Sequence, residues 1–279
     1  MNMTSKEEIQ RYLQTGDYEE NCSRWRVSNI GGCARQASAA LKNALIEEIK
    51  RRDKTGPFPI PPSFDSVSFT RSKVAPMVWG LFRQDEQEVV LAALERSVIF
   101  LTPSAIFDVI REVDWPHTAW ALANLYLASI GVKLLGPDAP RIVGFSEGTT
   151  CYVSTEYFHE ADRFADFVIH EAAHVFHNCK RYVIGLPENR SCEWLLDIEF
   201  RKRETFAYAC EAYGRILEHG KHPRVRKALF TELATGTMPS DERVDTGEYL
   251  DILSEAVAAR NGWKRILARC GRSAPHLEK

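Results

Sequence analysis

The sequence has no long apolar run and no excess of charge of one sign. No apolar stretch reaches the roughly 18 residues that a membrane-spanning helix needs, and Met1 to Glu8 lacks the basic and then apolar segments of a secretion signal. We therefore expect a cytoplasmic protein that does not bind membranes. The formal net charge is −2, so the chain produces no strong field that would attract nucleic acid.

The sequence also lacks a paired cysteine motif. Its seven cysteines contain no Cys-x-x-Cys pair, and their odd number leaves at least one cysteine without a partner in the chain. Disulfide frameworks and cysteine-based zinc clusters normally show even numbers or regular spacing. We therefore expect reduced thiols among apolar neighbours. The chain has 279 residues, of which 44% are hydrophobic, enough for one large domain or two smaller ones.

The strongest chemical pattern that is present lies between Asp166 and His177, in the sequence DFVIHEAAHVFH. His170 and His174 are one turn apart on one face of a predicted helix, so both imidazoles can reach one metal ion. Zinc held by three protein ligands keeps a fourth position for a water molecule and lowers the pKa of that water. Glu171 is the candidate general base that accepts the proton. The pattern therefore predicts a Zn²⁺ site.

The first third of the chain is predicted to be helical and carries no recognisable chemistry. Apolar spacing indicates helices from Ser5 to Gly16, from Cys33 to Arg52 and from Gln84 to Arg96. Strand-like segments appear only beyond this part of the chain. We therefore expect two regions, an N-terminal helical region over residues 1–96 and a domain over residues 97–279 that contains the histidine motif.

The segments that directly precede the motif are predicted to include short strands. Strand patterns cover Val132–Leu135, Arg141–Phe145 and Thr150–Ser154. The helix that carries the two histidines is then expected to be capped by Thr155 or Asp162. Together with the helices, these strands predict an α+β fold that is predominantly helical.

Three glutamates that follow the motif are candidates for a third metal ligand. One long helix is predicted from Ser191 to Gly220, with Glu193, Glu204 and Glu211 near one of its faces. A carboxylate ligand lies about 2 Å from its metal, so its helix must approach the histidine helix closely. Alanines around Glu204 permit that approach, whereas bulky residues surround Glu193. We favour Glu204, with Glu193 as the alternative and Glu211 after it.

His177 and Glu211 are expected to support the site. His177 continues the face of the two motif histidines, but on a straight helix it lies about 10 Å along the axis from His170. That distance is too long for a shared tetrahedral site. His177 is therefore expected either to contact a ligand histidine or to place its charge at the C-terminal end of the helix. Glu211 is a candidate to hold the second ring nitrogen of a ligand histidine.

A hydrolase also benefits from a hydrogen-bond donor for the oxyanion that develops during attack on a carbonyl. Tyr208 follows Glu204 by one helical turn and is the first candidate for this catalytic role, with core packing as the alternative. Tyr182 and Tyr213 are lesser candidates.

The motif and the order of elements around it resemble the zincin-type zinc metallopeptidases over about residues 97–215. The segment Glu204-Thr-Phe-Ala-Tyr-Ala209 is similar to the Glu-x-Phe-Ala segment that carries the third ligand in gluzincins, at a looser spacing. A metzincin would have a third histidine six residues after His174, where this chain has Lys180. The resemblance implies a small mixed sheet packed on a backing helix and the HExxH helix, with Thr150–Ser154 as an edge strand that binds extended peptide. The alternative for Thr150–Ser154 is a plain structural hairpin.

We therefore expect a zinc-dependent hydrolase, a metallopeptidase whose partner is a peptide or protein substrate. A non-catalytic zincin-like domain is the alternative, in which the metal joins two helices and the protein acts by binding a partner. A metal-free helical interaction protein with a chance motif is the third possibility. The sequence specifies neither the cleavage preference nor the choice between endopeptidase and exopeptidase action.

Overall fold

The computed structural model describes residues 4–19, 30–54, 60–61, 63–188 and 193–272. The helices are α1 (Ser5–Thr15), α2 (Ile30–Arg52), α3 (Ser66–Leu81), α4 (Gln84–Leu94), α5 (Ile106–Glu112), α6 (Pro116–Ser129), α7 (Phe167–Asn178), α8 (Arg203–His219), α9 (Pro223–Ala234), α10 (Thr246–Ala258) and α11 (Gly262–Cys270). The strands are β1 (Val98–Phe100), β2 (Gly144–Glu147) and β3 (Thr150–Val153). The expected α+β, predominantly helical fold is confirmed. Within these ranges, no helix has the length and apolar character needed to cross a membrane.

The described cysteines agree with the expectation of reduced, buried thiols. Five of them lie in the described ranges; each is buried, and none forms a disulfide within those ranges. Burial raises the pKa of several of these thiols, among them Cys151 and Cys210, so they stay protonated. They therefore act as small apolar side chains in the core.

The strand predicted at Val132–Leu135 is wrong. The backbone of this segment bonds to side chains instead of a neighbouring strand: Leu135 donates its N–H to Asn124 Oδ1 over 2.8 Å. The carbonyls of Lys133 and Leu134 both accept hydrogen bonds from Arg52 Nη1, each at 2.8 Å. Because these backbone groups have hydrogen-bond partners without a neighbouring strand, the segment forms a loop.

The long helix predicted from Ser191 to Gly220 is also wrong. Residues 189–192 lie outside the described ranges, and residues 193–199 form bends and isolated bridges instead of a helix. Leu195 and Leu196 donate their N–H groups to the carbonyls of Cys179 and Phe176. A 3₁₀ turn at Phe200–Lys202 then leads into α8. The helix therefore begins at Arg203, so Glu193 does not share it with Glu204.

The contacts divide the chain into two compact units, which differ from the two regions predicted. The first comprises Met1–Pro62, Phe100–Phe145 and Ser154–Phe158, with α1, α2, α5 and α6. The second comprises Ser63–Ile99, Ser146–Val153 and His159–Lys279. Helices α3 and α4, expected in the N-terminal region, belong to the second unit because α3 packs against α4, α7 and α11. The sequence patterns did not predict α3.

The three strands form one small mixed sheet in the order β1-β3-β2. The central position of β3 contradicts the expectation that Thr150–Ser154 is an edge strand. Cys151 N–H donates to Ser97 O over 2.8 Å, and on the other side Ser154 N–H donates to Val143 O over 2.9 Å. Both sides of β3 are thus hydrogen-bonded, and one face of this strand packs on α7. A peptide therefore has no free edge of β3 to pair with.

Helix α7 begins at a buried aspartate and not at either of the two caps that the sequence suggested. The side chain of Asp166 accepts a hydrogen bond from Ile169 N at 3.2 Å. Thr155 lies in a 3₁₀ turn earlier in the chain, and the side chain of Asp162 accepts a hydrogen bond from Phe164 N. Lys73 from α3 places its Nζ 3.0 Å from the second oxygen of Asp166. A charged pair therefore fixes the start of the histidine helix.

Small residues bring α7 and α8 close together. A Cβ atom added at Gly214 of α8 would lie only 2.7 Å from the Cδ1 atom of Ile169 in α7. Ala207, Ala209 and Ala212 of α8 are all buried. These side chains allow the two backbones to approach, as the alanine pattern predicted, and this approach places carboxylates of α8 next to the imidazoles of α7.

We predict that Asp166→Ala lowers the free energy of unfolding by about 2–3 kcal/mol, because it removes a helix cap and leaves Lys73 with a single partner at a mostly buried position. The matched control is Asp245→Ala, which removes the exposed aspartate that caps α10 by accepting from Glu248 N. It is expected to cost about 1 kcal/mol. Chemical denaturation measures both, and equal losses would contradict a special role for the buried cap.

Candidate metal centre

Three ligand atoms of the second unit converge between α7 and α8. His170 Nε2 and His174 Nε2 are 3.3 Å apart, and Glu204 Oε2 lies 3.8 Å from the first and 3.5 Å from the second. Ligands in a tetrahedral zinc site are separated by about 3.3 Å, since each lies about 2.0–2.1 Å from the metal. The three observed separations are close to this value, and the group could hold a metal ion.

The structure brings Glu204 to the two histidines but not Glu193. The carboxylate of Glu193 pairs with Lys180 at 2.5 Å and its side chain is 54% exposed. Glu204 lies in the first turn of α8, just before the buried alanines of that helix. On its own, burial would raise the pKa of Glu204, but His174, His170 and Arg243 outweigh burial and lower it. A carboxylate that stays ionised is the form that binds a cation.

Glu211 holds the outer nitrogen of His170. Its Oε2 atom lies 3.0 Å from His170 Nδ1, and its Oε1 atom accepts a hydrogen bond from Asp166 N at 2.7 Å. Burial lowers the pKa of His170, but the hydrogen bond and charge of Glu211, together with the charges of Glu171 and Glu204, raise it to about 9 overall. With Nδ1 protonated toward Glu211, Nε2 is directed at the ligand cluster. Glu211 is thus a supporting carboxylate, the role considered for it from the sequence.

His177 has the same relation to His174. Its Nε2 atom lies 3.3 Å from His174 Nδ1, and the two rings are perpendicular. Burial, with the positive charges of His174 and Arg203, lowers the pKa of His177 to about 3, so this ring is neutral. Its Nε2 atom can therefore accept a hydrogen bond from a protonated Nδ1 of His174. His177 Nδ1 is buried and has no hydrogen-bond partner among the described residues. The expected supporting role of His177 agrees with this geometry.

Glu171 lies in the same buried environment as the cluster, with 6% of its surface exposed. Burial raises the pKa of its carboxyl group, and the charges of His170 and His174 oppose this rise. A raised pKa makes a carboxylate a better proton acceptor. Helix α7 thus carries the two histidines of the candidate metal site and the candidate base.

Tyr208 contacts the cluster, whereas the other two tyrosines lie elsewhere. Its ring meets the ring of His170 edge-on, with centroids 4.5 Å apart. Burial and the surrounding carboxylates raise the pKa of Tyr208 to about 12, so its hydroxyl remains a donor. Tyr182 is exposed, and Tyr213 packs against Trp263 with centroids 4.8 Å apart.

Sequence patterns did not predict Arg243, which contacts the cluster from the loop between α9 and α10. Its Nη1 atom lies 3.0 Å from Glu204 Oε1, and Asp241 binds the other edge of the same guanidinium. Arg243 is 39 positions beyond Glu204 in the chain, so no helical or strand spacing connects them. An Asp-x-Arg pair on a loop is also common on protein surfaces and gives no signal of its own.

The donor set of the cluster fits zinc. Two imidazole nitrogens and one carboxylate oxygen are ligands that zinc accepts, and three protein ligands leave a fourth position open. Both imidazoles are held at their outer nitrogens, which metal sites generally require. Comparisons of the chain with protein-family models, with curated proteins and with solved structures gave no match. The geometry of these side chains is therefore what indicates a function.

Proposed function

We propose that the protein is a zinc-dependent hydrolase of the metallopeptidase type. One observation carries this proposal: His170, His174 and Glu204 converge at separations that suit a tetrahedral zinc ion, with the buried carboxylate of Glu171 in the next position of the same helix. A structural zinc site is normally closed by four protein ligands, whereas catalytic sites have three. The cluster found among the described residues has three.

In this proposal His170 and His174 would hold the metal through Nε2, and Glu204 would hold it through Oε2. When bound, the metal would supply a water of lowered pKa and would polarise the carbonyl group of the substrate. Glu171 accepts the proton of the water as it attacks and returns that proton to the leaving nitrogen. Tyr208 donates a hydrogen bond to the developing oxyanion.

The fold around the cluster supports a zincin-like arrangement. The small sheet packs on the histidine helix α7 through β3, and the next long helix supplies the third carboxylate. Because β3 is the central strand, its backbone does not bind the substrate in this proposal. The substrate is a peptide or protein that side chains recognise.

A non-catalytic domain is the second candidate, and the observation that favours it is the position of the cluster between two helices. A metal held by two residues of α7 and one of α8 would join these helices permanently. Such a protein would act by binding a partner, and Glu171 would have no chemical task. Substitution of Glu171 therefore separates the two candidates.

We predict that Glu204→Gln removes most of the bound zinc, because the amide cannot supply the negative charge of the carboxylate. Glu193→Gln is the matched control and is expected to retain zinc at the wild-type level, since Glu193 pairs with Lys180. Elemental analysis of the purified proteins measures zinc per chain. Loss of zinc in the Glu193 variant, with retention in the Glu204 variant, would reverse the assignment of the third ligand.

Glu171→Gln is predicted to reduce hydrolysis about 100- to 10,000-fold while zinc content and unfolding temperature stay unchanged, because the amide cannot accept a proton. Turnover is measured with a fluorogenic peptide library or a denatured protein as substrate. If wild-type protein binds zinc but cleaves nothing, and the variant equals it in every assay, the non-catalytic domain is the better description.

Tyr208→Phe is predicted to lower kcat about 100-fold or more with little change in KM, because the lost hydrogen bond forms only as the oxyanion develops. Tyr182→Phe, at an exposed position away from the cluster, is the control and is expected to leave both constants unchanged. A Tyr208 variant with wild-type kcat would show that this ring only packs against His170.

A further inference from the structure

We propose that Arg243 is a positioning residue that holds Glu204 as a ligand through a single oxygen. This inference rests on the zinc site proposed above. Arg243 belongs to the segment that joins α9 to α10, in the same unit as the cluster, and 64% of its side chain is exposed. It would act on the metal only through Glu204.

The two oxygens of Glu204 have different partners. Oε2 faces the two histidine nitrogens at 3.5 and 3.8 Å, whereas Oε1 lies 3.0 Å from Arg243 Nη1. A carboxylate without such a contact can turn both oxygens toward a metal and fill two coordination positions. With Oε1 paired with the guanidinium, only Oε2 would be available to a metal, and the position needed by a water molecule would stay open.

Asp241 fixes the direction in which the guanidinium points. Arg243 Nε donates to Asp241 Oδ1 at 2.9 Å and Nη2 donates to Oδ2 at 2.5 Å, so one edge of the planar group is fully used. The backbone N–H of Arg243 also donates to Asp241 Oδ1, at 2.9 Å. A two-point pair of this kind has a defined geometry. It leaves Nη1 as the atom that faces Glu204.

The positive charge of Arg243 also supports this position of Glu204. Glu171, Glu204 and Glu211 are three acidic groups around two histidines, and like charges that lie close together repel one another. The guanidinium, which is itself paired with Asp241, attracts Glu204 Oε1 while Oε2 stays directed at the histidines. A lysine could supply the charge but not the forked contact with two carboxylates, so the two effects can be separated by substitution.

The same type of ion pair occurs elsewhere in the second unit, and there the described residues place no second carboxylate against the arginine. Arg83 binds Asp85 through Nε at 3.1 Å and through Nη2 at 2.9 Å, and both side chains are exposed. Arg83→Met therefore removes an equivalent surface pair away from the cluster. It is the matched control for Arg243→Met.

The test measures metal binding and coordination number. Zinc affinity is obtained by competition with a chromophoric chelator, and coordination is followed in the visible absorption spectrum of the Co²⁺-substituted protein. We expect Arg243→Met to weaken zinc binding about 10- to 100-fold and to lower the Co²⁺ absorption, because five-coordinate Co²⁺ absorbs less than tetrahedral Co²⁺. Arg243→Lys should recover part of the affinity but not the spectrum. Arg83→Met should match wild type in both.

Two outcomes overturn the inference in different ways. If Arg243→Met and Arg243→Lys keep the wild-type affinity and spectrum while Glu204→Gln loses zinc, Arg243 does not position the ligand, and the proposed zinc site remains. If zinc binding in the wild-type protein is absent or does not depend on Glu204, the zinc site fails, and the role of Arg243 fails with it. Chemical denaturation of each variant shows that the fold is retained, as the exposed position of Arg243 leads us to expect.

Discussion

The bridge made by Glu211 is the interaction on which the candidate site depends. One oxygen binds the N–H of Asp166 at the start of α7, and the other binds the outer nitrogen of His170. A single buried carboxylate of α8 thereby fixes both the beginning of the histidine helix and the orientation of its first imidazole. Glu204, two turns earlier on α8, reaches the inner nitrogens of the same helix. The register between the two helices is therefore set by their polar contacts as well as by their small residues.

Burying several charged groups together lowers the stability of a fold unless each group has a partner of opposite sign. The second unit supplies these partners from outside the helix pair: Lys73 of α3 pairs with Asp166, and Arg243 pairs with Glu204. The two cations contact opposite ends of the network, one at the cap of α7 and one at the candidate ligand. The polar site is thus anchored by segments that lie far apart in the chain.

The local part of this site could be predicted from the sequence, and its long-range part could not. Helical geometry alone places His170 and His174 on one face, and the alanines of α8 correctly favoured Glu204 over Glu193. The identity of the cap could not be predicted, because Asp162 and Asp166 are equally good cap residues by type and only burial beside Lys73 distinguishes them. The non-helical chain before Arg203 and the central position of β3 both depend on backbone pairing with distant segments. The spacing of apolar residues along the sequence does not reveal such pairing.

The buried pair of His174 and His177 has a consequence for the movement of protons. If Nε2 of His174 bound a cation, the proton of that ring would lie on Nδ1, which would donate a hydrogen bond to His177 Nε2. The proton of His177 must then lie on its own Nδ1, a buried atom without a partner among the described residues. Since the low pKa of His177 prevents it from gaining a second proton, this side of the cluster is closed to proton exchange. A proton accepted by Glu171 therefore does not leave the cluster through this pair of rings.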